Sequence, residues 1–188
     1  MRAVLFLCSI LSLAACASTS SGRENRPFVY LAGNTRFTLL PTHGIESPMD
    51  MVQYISASFG GSDYFMNAWV KADETALEIT LLNEMGAGMG ELVYKDNKVT
   101  FSSAIIPRVF RPEYIVADFQ LCFYDPLLVA QALQAAGLVF ESEGGVRRVF
   151  RGKNLIIEIE KNENTVRLEN RLRGYAYTFA GDFQGVSQ

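Results

Sequence analysis

From Asp50 onward, apolar and polar positions mostly alternate with a period of two, the pattern of strands that bury one face and wet the other. Leu77, Ile79 and Leu81 fall on one side while Glu78 and Thr80 fall on the other. Val99, Phe101 and Ser103 likewise oppose Lys98, Thr100 and Ser102. Met51 to Phe59, Tyr64 to Lys71, Thr75 to Leu82, Gly88 to Lys95 and Val99 to Ile105 therefore read as strands. The segments between them (Gly60-Gly61-Ser62-Asp63, Asp73-Glu74, Asn83 to Ala87 and Asp96-Asn97) have turn chemistry and are too short for crossover helices. The sheet they predict is an antiparallel meander.

The period changes at Pro107. Pro112 to Phe119 and Asp125 to Ala136 read as helices, the second with Asp125 as N-cap, Pro126 at the first helical position and Gly137 just past the end. Its residues Leu127, Leu128, Ala130, Leu133 and Ala136 are apolar around much of the circumference, so this helix is expected to lie against the sheet. Strands resume at Leu138 to Glu141, Val146 to Arg151, Leu155 to Glu160, Val166 to Arg171 and Tyr175 to Ala180, the last carrying an aromatic stripe of Tyr175, Tyr177 and Phe179. The expected fold class is mainly β (α+β): a curved antiparallel open barrel of about ten strands, with one or two helices packed in or over its concave face.

The first residues carry a different signal. One basic residue, Arg2, precedes an apolar run from Ala3 to Leu13, and Leu13-Ala14-Ala15-Cys16 follows. The run is shorter than the roughly 20 residues a helix needs to span a bilayer, so it reads as a cleaved signal peptide. Leucine, two small residues and a cysteine resemble the bacterial lipobox. That resemblance implies diacylglycerol on the Cys16 sulfur, cleavage after Ala15 and acylation of the new amino group by a chain such as palmitate. With Ala17 rather than aspartate after the cysteine, it also implies sorting to the periplasmic side of the outer membrane. The expected organisation is a signal peptide over 1–15, a lipidated polar tether over 16–26 and one domain over 27–188.

Charge and cysteine usage narrow the classes further. The formal net charge is −3 with both signs mixed along the chain, so the broad basic surface of a nucleic-acid binder is missing. Of the three cysteines, Cys8 leaves with the signal and Cys16 is the lipidation site. Cys122, flanked by Leu121 and Phe123 and by no base, reads as a buried core thiol.

Candidate catalytic chemistry is sparse. His43, the one histidine, sits in the turn-like Pro41-Thr42-His43-Gly44, and no nucleophile elbow or metal-ligand spacing accompanies it. Gly86-Ala87-Gly88-Met89-Gly90 lacks the lysine and the helix of a phosphate loop and reads as the start of a hairpin. Asp125 is expected to cap a helix, and Asp118 to close the preceding helix or bind backbone in a turn. Adjacent Arg147 and Arg148 point to opposite faces of a strand, one of them able to pair with Glu141 or Glu143. No cofactor, metal or catalytic residue is expected, and the protein reads as a non-enzyme.

The remaining signal is the apolar stripe. Leu77, Ile79, Leu81, Phe101, Leu133, Leu155, Ile157, Ile159, Val166, Leu168, Tyr175, Tyr177 and Phe179 are expected to line the concave face, either as a cavity for an acyl chain or as a core filled by the helix after Asp125.

The order of elements resembles the lipoprotein-carrier fold of LolA and LolB, an incomplete barrel around an apolar cavity plugged by helices. More closely, Pro112-Glu113, Ala117-Asp118-Phe119-Gln120-Leu121, Arg147-Arg148-Val149-Phe150 and Leu168-Glu169-Asn170 leading into Gly174-Tyr175 resemble DUF3261, a family of bacterial lipoproteins, over roughly Tyr54 to Phe179. Some members of that family are encoded beside enzymes that make aryl polyene lipids, so the resemblance implies handling or export of an acyl product. LolB's signature leucine on a projecting loop finds only Met85, on the turn Asn83 to Ala87. The expected function is an outer-membrane lipoprotein, held by acylated Cys16, that binds or hands over a lipid, acyl chain or lipoprotein acyl moiety. The alternatives are an assembly factor that binds a periplasmic protein partner through a sheet edge, and a hydrolase or transferase acting on lipid intermediates.

Overall fold

The computed structural model describes residues 26–105 and 111–181; the expected signal segment and the lipidation site Cys16 lie outside them. A hairpin of Phe28–Ala32 (β1) and Thr35–Thr38 (β2) comes first. The strands Met49–Phe59 (β3), Ser62–Ala72 (β4), Ala76–Leu82 (β5), Gly88–Lys95 (β6) and Lys98–Ser102 (β7) follow. Helices Pro112–Phe123 (α1) and Pro126–Ala135 (α2) lead into Val139–Glu143 (β8), Val146–Arg151 (β9), Asn154–Lys161 (β10), Thr165–Asn170 (β11) and Tyr175–Ala180 (β12).

Strands β3 to β12 form one antiparallel sheet in the order β7-β6-β5-β4-β3-β12-β11-β10-β9-β8. Each half is a meander, as the short turns predict. The halves are joined where β12 pairs with β3, from Tyr175 opposite Phe59 to Ala180 opposite Tyr54. The sheet stays open, with β7 and β8 as its edges and both helices in the connection between them. Turn chemistry sets the register: Asp96 and Asn97 both have positive φ, 50° and 59°, which suits a two-residue hairpin between β6 and β7. Gly145 has φ 79°, and a Cβ there would stand 2.8 Å from the Lys161 carbonyl, so only glycine fits.

Alternation in β5 is realised as expected, with Leu77, Ile79 and Leu81 buried and Glu78 exposed. The helices depart from the expectation. α1 does not stop at Phe119 but continues one turn to Phe123, and every residue from Val116 to Phe123 is buried. A helix buried all round needs neighbours on every side. The curved sheet supplies most of them and the β1–β2 hairpin, packed on both helices, supplies another.

The helix filling the concave face is therefore α1. α2 lies against edge strand β8, burying only Val129 and Leu133 and leaving Leu127 72% exposed. Its ends match the sequence reading. Asp125 accepts from the N–H groups of Leu127 and Leu128 at 2.7 and 3.2 Å. At the other end Gly137, φ 77°, and Leu138 donate back to the Gln134 and Leu133 carbonyls, and Leu138 and Leu133 are both buried.

Residues 27–50, to which the pattern assigned no element, hold β1 and β2. Val29, Leu31, Phe37 and Leu39 are buried there, so a period-two signal was present on either side of the Gly33-Asn34 turn. β7 ends at Ser102 rather than Ile105, because the Ser103 hydroxyl turns back to donate to the Met89 carbonyl at 2.6 Å and accepts from the Ile105 N–H.

Candidate functional site

The concave face is built by the inward positions of strands from both halves of the sheet. Of the expected lining residues, Leu77, Ile79, Leu81, Leu133, Ile157, Ile159, Val166, Leu168 and Tyr175 are buried in one hydrophobic cluster together with α1. Phe101, Tyr177 and Phe179 are partly buried against it.

Leu155 is the exception. A bulge between Leu155 and Ile157 sets Ile156 into β10 as an extra residue, so alternation slips by one. Leu155 is only half-buried and Ile156 is buried in its place.

The aromatic stripe of β12 forms a ladder under α1. The Tyr175 and Tyr177 ring centroids are 5.1 Å apart, and those of Tyr177 and Phe179 are 6.1 Å apart. Phe179 meets Phe123 edge-on at 6.1 Å, and Phe123 meets Phe119 at 4.8 Å. These contacts are the favoured tilted and T-shaped arrangements.

Three polar clamps hold α1 in this apolar setting. In the first, the Tyr175 hydroxyl donates to the Asp118 carboxyl, 2.8 Å from Oδ2 and 3.0 Å from Oδ1, and accepts from Asn170 Nδ2 at 3.2 Å. Asp118 thus lies in mid-helix and faces β12; it neither closes a helix nor binds a turn. Burial pushes its carboxyl up to about 7, while the Tyr175 hydrogen bond and the Arg173 guanidinium hold it from going higher. Burial, and then the Asp118 charge, drive the Tyr175 phenol far above its usual range.

In the second clamp Gln120 grips the Leu40 backbone from both sides, accepting from its N–H at 2.8 Å and donating Nε2 to its carbonyl at 2.7 Å. Tyr94 donates to the same carbonyl at 2.8 Å. In the third, Arg147 donates Nη1 to the Leu121 and Tyr124 carbonyls, both at 2.9 Å, at the C-terminal end of α1. A cation there complements the helix dipole and fills carbonyls with no helical partner. Its Nη2 pairs with Glu46, which also takes Lys161 at 2.9 Å.

Arg148 points to the opposite face, as adjacency on a strand requires, but pairs with Glu158 of β10 at 2.9 Å rather than with Glu141 or Glu143. Arg148 is opposed in register to Glu141 on β8 as well as to Glu158 on β10, so register allows either partner and the ion pair is made with Glu158.

The model of a family described as a protein of unknown function, DUF3261, matches residues 50–180. The chain belongs to the DUF3261 family. A comparison with curated proteins gives no match.

The segments that resembled DUF3261 in the sequence take on a physical meaning here. Among the described residues the buried polar or charged ones are Gln53, Asp118, Gln120, Arg147 and Asn170, and the last four all fall in those segments. Each fixes α1 or supports a group that does. Sequence reasoning assigned them no shared task. The available signal was that Asp118 and Gln120 interrupt an otherwise apolar stretch, which demands buried partners.

The remaining candidates fall away from the concave face or inside its core. Cys122 is fully buried on α1; burial and then the Asp118 charge push its thiol well up, against reactivity. His43 is exposed on a one-turn 3-10 helix. Met85 is 90% exposed on the β5–β6 turn, where Asn83 Oδ1 accepts from the Met85 and Ala87 N–H groups. Among the described residues no group of three or more His, Cys, Asp or Glu could hold a metal ion. Among them too, no helix is long and apolar enough to cross a membrane.

Proposed function

We propose that this DUF3261 domain is a non-enzymatic carrier or receptor, with a LolA/LolB-like architecture, that binds or hands over a lipid, acyl chain or lipoprotein acyl moiety. It works as an outer-membrane lipoprotein facing the periplasm, anchored through acylated Cys16. In this reading α1 occupies the acyl site until a ligand displaces it. One observation carries the proposal: the apolar concave face of an open sheet is covered by α1, tied down at a few polar points, with only the small β1–β2 hairpin and α2 packed around it. Each methylene of an acyl chain that replaced α1 would recover about 0.8 kcal/mol of apolar burial. Specificity for the polar end of the ligand would be low, and aryl polyene lipids belong to the cargo class. Met85, projecting on its turn, is the exposed apolar side chain that a LolB-like hand-over calls for.

Native mass spectrometry of the full chain extracted in mild detergent tests this. Retained acyl species that a fluorescent fatty acid displaces support the carrier; a lipid-free protein that takes up no acyl probe removes it.

A second reading, a scaffold for a periplasmic protein partner, is favoured by the sheet face turned away from the core. Val52 and Trp69, opposed in register, are 59% and 49% exposed, and Tyr54 stacks on Phe65 beside them at 6.2 Å. Next to this patch β4 extends past the end of β5, and among the described residues no strand pairs with its backbone from Ser62 to Met66 on that side. A stoichiometric partner that is lost on Phe65→Ser, with the fold intact, would favour the scaffold.

A further inference from the structure

A cleft of about 560 Å³ opens where the β1–β2 hairpin, the start of β7 and the N-terminus of α1 meet. Arg26, Arg36, Lys98 and Arg111 line it against a single carboxylate, Glu113. Four cations and one anion in one cleft are a strong local concentration of positive charge in a chain of net charge −3. A second cleft of about 360 Å³ shares Arg26 and Arg36 and runs on toward the end of α2.

Among the described residues, Arg26, Arg36 and Lys98 form no ion pair, and Arg111 forms only a loose one. Arg36 lies over the Phe28 ring, 3.8 Å from its centroid, which fixes the guanidinium without supplying a counter-charge. Arg26 donates Nη1 to the Leu39 carbonyl at 3.3 Å. Its Nε is the one buried side-chain nitrogen or oxygen without a hydrogen-bond partner among the described residues. Arg111 meets Glu113 only at 3.8 Å. It is also the N-cap of α1 and makes no side-chain cap, so its guanidinium stays directed to the cleft's acceptors rather than to the helix, whose first turn holds Glu113.

We propose that this cleft binds a phosphate group, taken up by Arg26, Arg36, Lys98 and Arg111. Guanidinium forks match phosphate oxygens in pairs, which makes a three-arginine cluster a better fit for phosphate than for a simple halide. The phosphate has two sources, a glycerophospholipid headgroup or a free phosphate. Cys16 lies ten residues before Arg26, a reach of at most about 35 Å. The headgroup source rests on the proposed anchoring at Cys16, and the free source does not. Neither depends on the concave face.

The test is calorimetric titration of the full chain in neutral detergent with glycerol 3-phosphate, inorganic phosphate and a short-chain phosphatidylglycerol. Glycerol 3-phosphate should bind, and the double variant Lys98→Gln, Arg111→Gln should weaken it by about tenfold or more. Both positions are exposed, so the fold should hold. Lys71→Gln, which lies outside the cleft, should leave binding unchanged. Phosphatidylglycerol binding without inorganic phosphate binding identifies a headgroup site, and comparable binding of both identifies a free-phosphate site. No binding of any of the three, or binding that the double variant leaves intact, overturns the proposal. Glycerol 3-phosphate carries no acyl chain, so this result is separable from success or failure of acyl uptake.

Discussion

The Tyr175 hydroxyl reaches from β12 to the buried carboxyl of Asp118 on α1, 2.8 Å from Oδ2. That bond ties the helix in the concave face to the strand that joins the two halves of the sheet. Burial raises the Asp118 carboxyl from 3.8 to about 7. The folded state therefore holds a proton there that the unfolded state has released between about pH 4 and pH 7. Stability from this group is fully present below about pH 4 and is lost as pH rises through about 7. Asp118→Asn should flatten the fall in melting temperature across that window, and calorimetric scans from pH 4 to pH 8 check it. A wild type whose melting temperature rises through the same window would oppose it.

Arg147 and Arg148 are neighbours in sequence with unequal work. Arg147→Met strands two helix-end carbonyls and leaves Glu46 with Lys161 alone, at a cost of about 3 kcal/mol. Arg148→Met removes a half-exposed pair and should cost less than about 1 kcal/mol. Urea unfolding of the two variants measures the difference.

Gln120→Leu keeps the volume of the side chain close to native but leaves the buried Leu40 N–H without an acceptor. The loss should be about 1 to 3 kcal/mol. In Tyr94→Phe the Leu40 carbonyl keeps its bond from Gln120 Nε2 and the Leu40 N–H keeps its acceptor, so denaturant midpoints should show a smaller loss for Tyr94→Phe than for Gln120→Leu.

Cys122 should resist alkylation in the native protein and react once the chain unfolds, at a rate that follows unfolding under increasing urea. Rapid native labelling would mean that α1 leaves its seat without any ligand.

Most strands could be read from local pattern because each buries one face and ends in turn chemistry. Leu77, Ile79 and Leu81 needed nothing more. What depended on distant partners could not be read in that way. The pairing of β12 with β3 joins residues far apart in sequence, and no periodicity encodes it. The bulge at Ile156 breaks alternation within Leu155-Ile156-Ile157, three apolar residues in a row that offer no polar marker of the slip. α1 was cut short because Asp118 and Gln120 look like helix-ending polar residues until their partners, Tyr175 and Leu40, are known. Of the thirteen expected lining residues all but Leu155 belong to or pack against the core, and none lies on α1, which occupies the space between them.

In the proposed carrier, α1 sits in an acyl site and yields to a ligand. Hydrogen exchange of the full chain with and without a saturating fluorescent fatty acid tests it most directly. Uptake should be saturable, with faster exchange along Val116 to Phe123 in the bound state while β10 and β11 stay protected. No uptake, or uptake that leaves exchange in α1 unchanged, would contradict it.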